Sequence, residues 1–261
     1  MALRNDYVTP RFNGTFFFDK PPLALWFSAL SFKLFGFSEF AARFPVAFAA
    51  TALSLLTWWF GKKYFTERTA LFAGCMVALN PMMIGTARQM TMDIHQSLWF
   101  AVAMFGFYVA WTSNDKKQKW MYLAISVGCG FSVLSKSVPG LFPLVCILAF
   151  IALEKKGQLR DILSALGSLK PIINLLILAA IIVPWHYFAW RNNGKIFYEE
   201  YWLLHHVQLL NGKDFNHTQP FWYYIPMLLA GLFPWSLLLP WAVRKPSTSE
   251  STVNTHRFLL T

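Results

Sequence analysis

The sequence predicts an all-α protein, a polytopic bundle of about seven transmembrane helices plus a short interfacial helix, with its N-terminus outside and its C-terminus in the cytoplasm. Three observations carry that expectation. Of 261 residues, 56% are hydrophobic, 18% aromatic and only 13% charged, a balance outside that of water-soluble domains. Stretches 40–61, 69–86, 94–112, 119–135, 138–154, 171–190 and 219–243 each approach the roughly 20 apolar residues that a span needs. Lysines and arginines fall in short clusters between these stretches, so the formal charge of +11 reads as a topology signal and not as a nucleic-acid footprint. Cys75, Cys129 and Cys146 stand inside apolar runs at spacings that match no disulfide framework, metal motif or redox motif.

Taken in order, the chain first shows Phe16-Phe17-Phe18-Asp19-Lys20-Pro21-Pro22 ahead of the apolar run 23–37. Two prolines suit the first turn of a helix, where a missing N–H is no loss. A helix N-terminus favours an anion, but the prolines remove backbone donors, so Lys20 has to supply most of the positive contact. The bland alternative is a solvated or snorkelling lysine. The run 23–37 is short for a span and contains Lys33, which predicts an interfacial helix or a tilted half-span. Spans four and five are joined by Ser135-Lys136-Ser137-Val138-Pro139-Gly140, a turn too short for anything but an antiparallel helical hairpin. Residues 1–243 are expected to form one membrane domain, and the polar, Ser/Thr-rich stretch 244–261 a disordered cytoplasmic tail.

Orientation follows from the basic loops. Lys62, Lys63, Arg68, Lys116, Lys117, Lys119, Lys155, Lys156, Arg160, Lys170, Arg244 and Lys245 belong on the cytoplasmic face. Segments 1–39, 87–93, 136–140 and 191–218 then lie together on the other side, the periplasm of a bacterium. One surface thereby collects Asp19, Lys20, Arg88, Asp93, Lys136, Glu199, Glu200, His205, His206, Asp214 and His217. A chain beginning outside needs a preceding anchor or signal, and residues 1–7 supply neither, so an upstream segment is expected.

Ionisable residues at this depth are costly unless partnered or functional. Arg88 and Asp93 lie five positions apart where one apolar run ends and the next begins. They read either as an ion pair, with Asp93 also favoured by the helix dipole, or as a phosphate contact and a carboxylate facing a reaction cavity. Arginine suits a phosphate because its planar fork binds two oxygens. Lys136 either snorkels or adds a second cationic contact to the same anion. His205, His206 and His217 with a carboxylate such as Asp19 have the donor chemistry of a zinc site, although adjacent histidines seldom both point inward. Sequons Asn13-Gly14-Thr15 and Asn216-His217-Thr218 carry little weight. No glycine-rich phosphate loop, nucleotide fingerprint or Ser-His-Asp order is present in the sequence. The pattern suits a substrate with an apolar tail and a phosphate head, used without a nucleotide.

Four blocks carry a family resemblance: Asp6-Tyr7-Val8-Thr9-Pro10-Arg11-Phe12-Asn13-Gly14, Asp19-Lys20-Pro21-Pro22, Ser38-Glu39-Phe40-Ala41-Ala42-Arg43-Phe44-Pro45 and Gln219-Pro220-Phe221-Trp222-Tyr223-Tyr224-Ile225-Pro226. In this order they resemble the polyprenyl-phosphate-sugar glycosyltransferases, above all the bacterial aminoarabinose lipid A transferases and their protein mannosyltransferase relatives. The resemblance implies a C-type glycosyltransferase fold in the inner membrane with its active face periplasmic. It implies an undecaprenyl-phosphate sugar donor, lipid A or another periplasmic acceptor, and surrounding membrane lipids as partners. By position, Lys20 matches the lysine that holds the carrier phosphate; Arg88 and Lys136 stay the further phosphate contacts that their own chemistry and placement suggest. Asp19 and His206 match a metal-binding acidic residue and its histidine, His217 another histidine of that loop, and Asp93 an acidic residue taken here as catalytic. A divalent metal, zinc or similar, is thus an expected cofactor.

The departures are equally specific. The family's essential carboxylate comes from an acidic motif after its first transmembrane helix, which would fall upstream of Met1. Leu209 replaces a basic residue of some relatives. The expectation is a shortened member that binds carrier phosphate but transfers sugar poorly or not at all. The rival readings are a lipid-carrier flippase, which would need polar residues along a path through the bilayer, and a noncatalytic membrane remnant.

Overall fold

Local chemistry explains where the elements begin. Asn13 and Gly14 both take positive φ (50° and 89°), the geometry of a two-residue hairpin turn. Strands β1 (Arg11–Phe12) and β2 (Thr15–Phe16) therefore pair antiparallel, Arg11 opposite Phe16 and Phe12 opposite Thr15. In the computed structural model, which describes residues 1–208, 220–242 and 258–259, the longer elements are all helices.

Helix α1 (Leu23–Phe35) starts directly after Pro21-Pro22 and stops at Gly36, whose φ is 76°. Helix α2 (Glu39–Tyr64) is capped by Ser38, which accepts the N–H of Ala41, and α3 (Glu67–Ala78) is capped in the same way by Thr66. Asn80 caps α4 (Pro81–Ala87), with proline in the first position. Helix α5 (Asp93–Thr112), the single turn α6 (Lys116–Lys119) and α7 (Leu123–Lys136) follow. A 3-10 turn, Val138–Leu141, leads into α8 (Phe142–Glu154), then α9 (Leu159–Ser168) and α10 (Pro171–Phe197). The chain widens into a π-helix over Tyr198–Gln208, and α11 (Tyr224–Gly231) and α12 (Leu239–Ala242) close the described bundle.

Among the described residues, two helices are long and apolar enough to cross a membrane alone, Glu39–Tyr64 and the stretch Pro171–Val207. A third span requires α3 and α4 to act together across a 52° bend. The expected continuous span 69–86 is thus broken, because Pro81 cannot extend the helix through Asn80. The expected span 219–243 is likewise divided into α11, a 3-10 turn at Trp235–Leu238 and α12, with Pro234 and Pro240 at the breaks. The expected hairpin at 135–140 is present, as is the short helix after Pro22. Helix α9 was not among the expected elements.

The bundle is drawn together at α5 and α7. A Cβ on Gly128 would meet the carbonyl oxygen of Trp99 at 2.5 Å, and one on Gly106 would meet the Cβ of Ala124 at 2.2 Å. Small residues here let two backbones approach as close as membrane helices permit. Helix α5, 20 residues long, separates the two ends of the bundle by about 30 Å. At its C-terminal end Phe107, Tyr108, Phe150 and Tyr122 form one core; at the end reached by the C-terminus of α7, Phe18, Leu134, Trp185, Phe197 and Tyr201 form another. Phe258, expected in a disordered tail, is instead 3% exposed in the first core and stacks on Tyr108 at 4.2 Å. Burial of an aromatic side chain is a sufficient reason for that placement.

Candidate functional site

The segment ahead of Asp19 is strapped onto two helices. The carboxylate of Asp6 accepts the N–H groups of Val8 and Thr9, each at 3.0 Å. The indole of Trp26 in α1 donates to the carbonyl of Tyr7 at 2.7 Å, and that of Trp185 in α10 donates to the carbonyl of Val8 at 3.0 Å. Asn193 donates to the Thr9 hydroxyl at 3.0 Å. With the backbone fixed, Phe18 is fully buried, its ring edge-on to Phe197 at 5.1 Å. Asp19 and Lys20 then emerge at the start of α1.

Lys20 donates to the Asp19 carboxylate at 2.6 Å and approaches the Asp19 carbonyl at 3.2 Å. His205 Nδ1 lies 3.0 Å from the same carboxylate oxygen. Two potential cations therefore share one acceptor. The side chains of Lys20 and Asp19 are 30% and 35% exposed, so the group is open to a ligand. An ammonium has three donors, and two approach Asp19, which leaves one unassigned.

A second ion pair joins Lys136, the last residue of α7, to Asp93, the first residue of α5. Between the two pairs lies a buried polar node. Ser137 adopts φ 67°, ψ −141°, and its hydroxyl contacts the Tyr201 hydroxyl at 2.9 Å and Nε2 of His206. His186 Nε2 reaches the same Tyr201 hydroxyl at 3.0 Å, while Nδ1 of His206 faces the Tyr201 carbonyl. The hairpin corner carrying Lys136 is thereby tied to the π-helix carrying His205.

The structure thus brings Lys20, Asp19 and His205 together, and Asp93 with Lys136. It turns His206 toward Ser137 and Tyr201. Asp93 pairs with Lys136, not with Arg88 as the ion-pair alternative had it. Arg88 is exposed and lines a cavity of about 320 Å³ against Ala50, Ser54 and Met83, and among the described residues it forms no ion pair with Asp93, which is held by Lys136 instead. His217 lies outside the described residues. Sequence reasoning did not single out Ser137, Tyr201 or His186 as site residues. Two histidines and a tyrosine in a stretch this apolar were the available signal.

Among the described residues, no group of three His, Cys, Asp or Glu side chains is placed to hold a metal ion. Asp19 and His205 are the only two expected-type donors in contact there, and Lys20 occupies their shared oxygen. Both ring nitrogens of His206 are engaged. The described donors do not fit the expected metal site.

Helices long enough to cross a bilayer, with cations and carboxylates collected at one end, define a membrane helical bundle with a polar site at its surface. The sequence model of the dolichyl-phosphate-mannose-protein mannosyltransferase family matches residues 19–188, and the chain belongs to this family of polyprenyl-phosphate-sugar glycosyltransferases. It is similar to undecaprenyl phosphate-alpha-4-amino-4-deoxy-L-arabinose arabinosyl transferase 2 of Sodalis glossinidius, at 29% identity over 100% of this chain and 46% of that protein. The corresponding transferase of Aeromonas hydrophila is 32% identical over 94% of this chain and 44% of its own length. The fold matches crystal structures of ArnT from Cupriavidus metallidurans in the apo state (TM-score 0.79, 19% identity, 99% of this chain and 51% of that one) and bound to undecaprenyl phosphate (TM-score 0.82, 20% identity, 100% and 47%). The resemblance drawn from the four sequence blocks is borne out. The chain spans about half the length of the curated relatives it matches.

Proposed function

We propose that this chain carries the carrier-phosphate site of a transferase that moves an aminoarabinose from undecaprenyl phosphate to lipid A on the periplasmic side of a bacterial inner membrane. The observation that carries the reading is Lys20, half-buried at the start of α1 with Asp19 and His205, in a chain similar to transferases named for that donor.

The chemistry is a displacement at the anomeric carbon. An acceptor oxygen forms the new bond, the bond from carbon to the carrier phosphate breaks, and its electron pair goes to the phosphate oxygen. Charge grows on that oxygen as the bond lengthens, so a fixed ammonium nearby lowers the barrier. Lys20 is positioned for this role, with Lys136 as a second cation. Asp93 is the described carboxylate assigned to take the acceptor proton. Arg88, which lines a separate cavity, is kept as a further candidate contact for the lipid-borne phosphate.

The test is binding and transfer by protein reconstituted in lipid. Lys20→Met should weaken undecaprenyl phosphate binding by about tenfold or more, the worth of one charge-assisted hydrogen bond. Unchanged binding by that variant would remove the basis of the reading. Sugar transfer to lipid A by the same preparation then decides whether the chain completes the reaction.

A further inference from the structure

The opposite end of the bundle, about 30 Å away along α5, holds a cleft with no part in that chemistry. It measures about 620 Å³ and is lined by Lys119, Lys155 and Lys170 against a single acidic residue, Asp161, with the hydroxyls of Ser164 and Ser168. None of the three lysines makes an ion pair with a described carboxylate. Lys155 is held over the ring of Trp111 at 5.5 Å, which fixes its direction without neutralising it.

A second cavity lies beside the first. It has about 320 Å³ and is almost wholly apolar, a groove between α7, α8 and α10 lined by Ile147, Leu148, Leu175 and Leu178. Leu169, in the turn between α9 and α10, lines both spaces. Leu148 and Leu175 are 47% and 65% exposed, so the groove opens sideways on the surface that an apolar bundle presents to lipid. A polar compartment with excess positive charge, adjacent to an apolar groove across Leu169, has the two-part chemistry of an amphiphile.

From this we infer that the cleft and groove form a binding site for an anionic diacyl phospholipid. Its phosphodiester lies among Lys119, Lys155 and Lys170, its headgroup hydroxyls meet Ser164 and Ser168, and one acyl chain runs past Leu169 into the groove. A cleft this large exceeds what a bare phosphate fills, which favours a glycerol-bearing headgroup. Charge complementarity selects the anionic lipid over a zwitterionic one, because a choline cation would be repelled by the same lysines. The site is separate from the Lys20 group and stands or falls independently of the transferase reading.

The experiment titrates phosphatidylglycerol and phosphatidylcholine onto the delipidated full chain in a neutral detergent and reads bound lipid by native mass spectrometry. The wild type should retain phosphatidylglycerol in preference. The triple variant Lys119→Gln, Lys155→Gln, Lys170→Gln should lose at least about tenfold in affinity. Leu175→Trp, which fills the groove and leaves the charges intact, should also weaken binding. A control triple, Lys116→Gln, Lys117→Gln, Lys156→Gln, changes the same net charge at the same end outside the cleft and should stay within about twofold of wild type. Equal loss in both triples would mean diffuse charge and overturn the site. So would equal binding of phosphatidylcholine, or chain-free glycerophosphoglycerol binding as tightly as the lipid.

Discussion

Deleting one hydroxyl, that of Ser137, should loosen the whole polar end of the bundle. The hydroxyl serves Tyr201 and His206 at once, and its loss leaves Nε2 of His206 without a partner while the other contacts of both residues remain. Tyr201 keeps His186 Nε2, and His206 keeps the Tyr201 carbonyl. The cost of Ser137→Ala should therefore be about 1–3 kcal/mol, the worth of the lost hydrogen bonds together with an unpartnered ring nitrogen on the half-buried His206. Backbone strain separates a second contribution. Ser137 holds φ 67°, a region that glycine occupies freely and other residues enter at about 1 kcal/mol or more. Ser137→Gly loses the same hydrogen bonds but relieves that strain, so it should be more stable than Ser137→Ala by about 1 kcal/mol. Tyr201→Phe combined with Ser137→Ala should cost less than the sum of the single changes by about 0.5–1.5 kcal/mol, because they share one contact. Denaturant unfolding in micelles, followed by tryptophan fluorescence, measures all four. Additive energies for the pair, together with an alanine variant as stable as wild type, would refute the node.

The remaining expectations address packing, chemistry and topology. Gly128→Val should destabilise the bundle by more than about 2 kcal/mol, because the new side chain meets backbone of α5 at Trp99 and Ala103; a normal melting temperature would contradict the close approach. Asp93→Asn should cost under about 1 kcal/mol of stability, since the pair with Lys136 is half exposed. The same change should lower kcat by about a hundredfold or more where the chain turns over, and a loss of less than threefold would leave Asp93 a structural partner only. In a cysteine-free background, Lys136→Cys should react with a membrane-impermeant thiol reagent from outside, and Lys116→Cys only after the membrane is breached. The reverse labelling would invert the orientation.

Much of the helical order was legible because apolar runs and cap residues mark it directly. The run 40–61 is α2, flanked by Ser38 as its cap and by Lys62 and Lys63 in its last turn. The hairpin at 135–140 followed from its shortness. What escaped depended on direction, not composition. Asn80-Pro81 carried a break signal inside the run 69–86, but an apolar tally gave it no weight. Asp93 has Arg88 near in sequence and Lys136 43 positions away, and the antiparallel placement of α5 beside α7 favours the distant one. The exchange of His205 for His206 at Asp19 has a similar cause: in a π-helix more residues fill each turn than in an α-helix, so helical periodicity does not reveal which of two adjacent histidines faces inward.

The two ion pairs at this end raise the question of how lysines already bound to carboxylates would accept a phosphate. Magnitudes decide it. Lys20 and Asp19 are about one-third exposed, and Lys136 and Asp93 more so; a pair so open to water contributes about 0–1 kcal/mol. A charge-assisted hydrogen bond to a phosphate oxygen contributes about 1.5–3 kcal/mol. On the proposed reading, pairs this weak offer little resistance when a phosphate takes the carboxylate's place at each lysine. His205 lowers the cost further at Lys20, because it remains on the Asp19 oxygen when the ammonium turns away. In that same reading, the carboxylates direct the cations toward the site, and a Lys136 that turns to the phosphate releases Asp93 for its assigned role as proton acceptor.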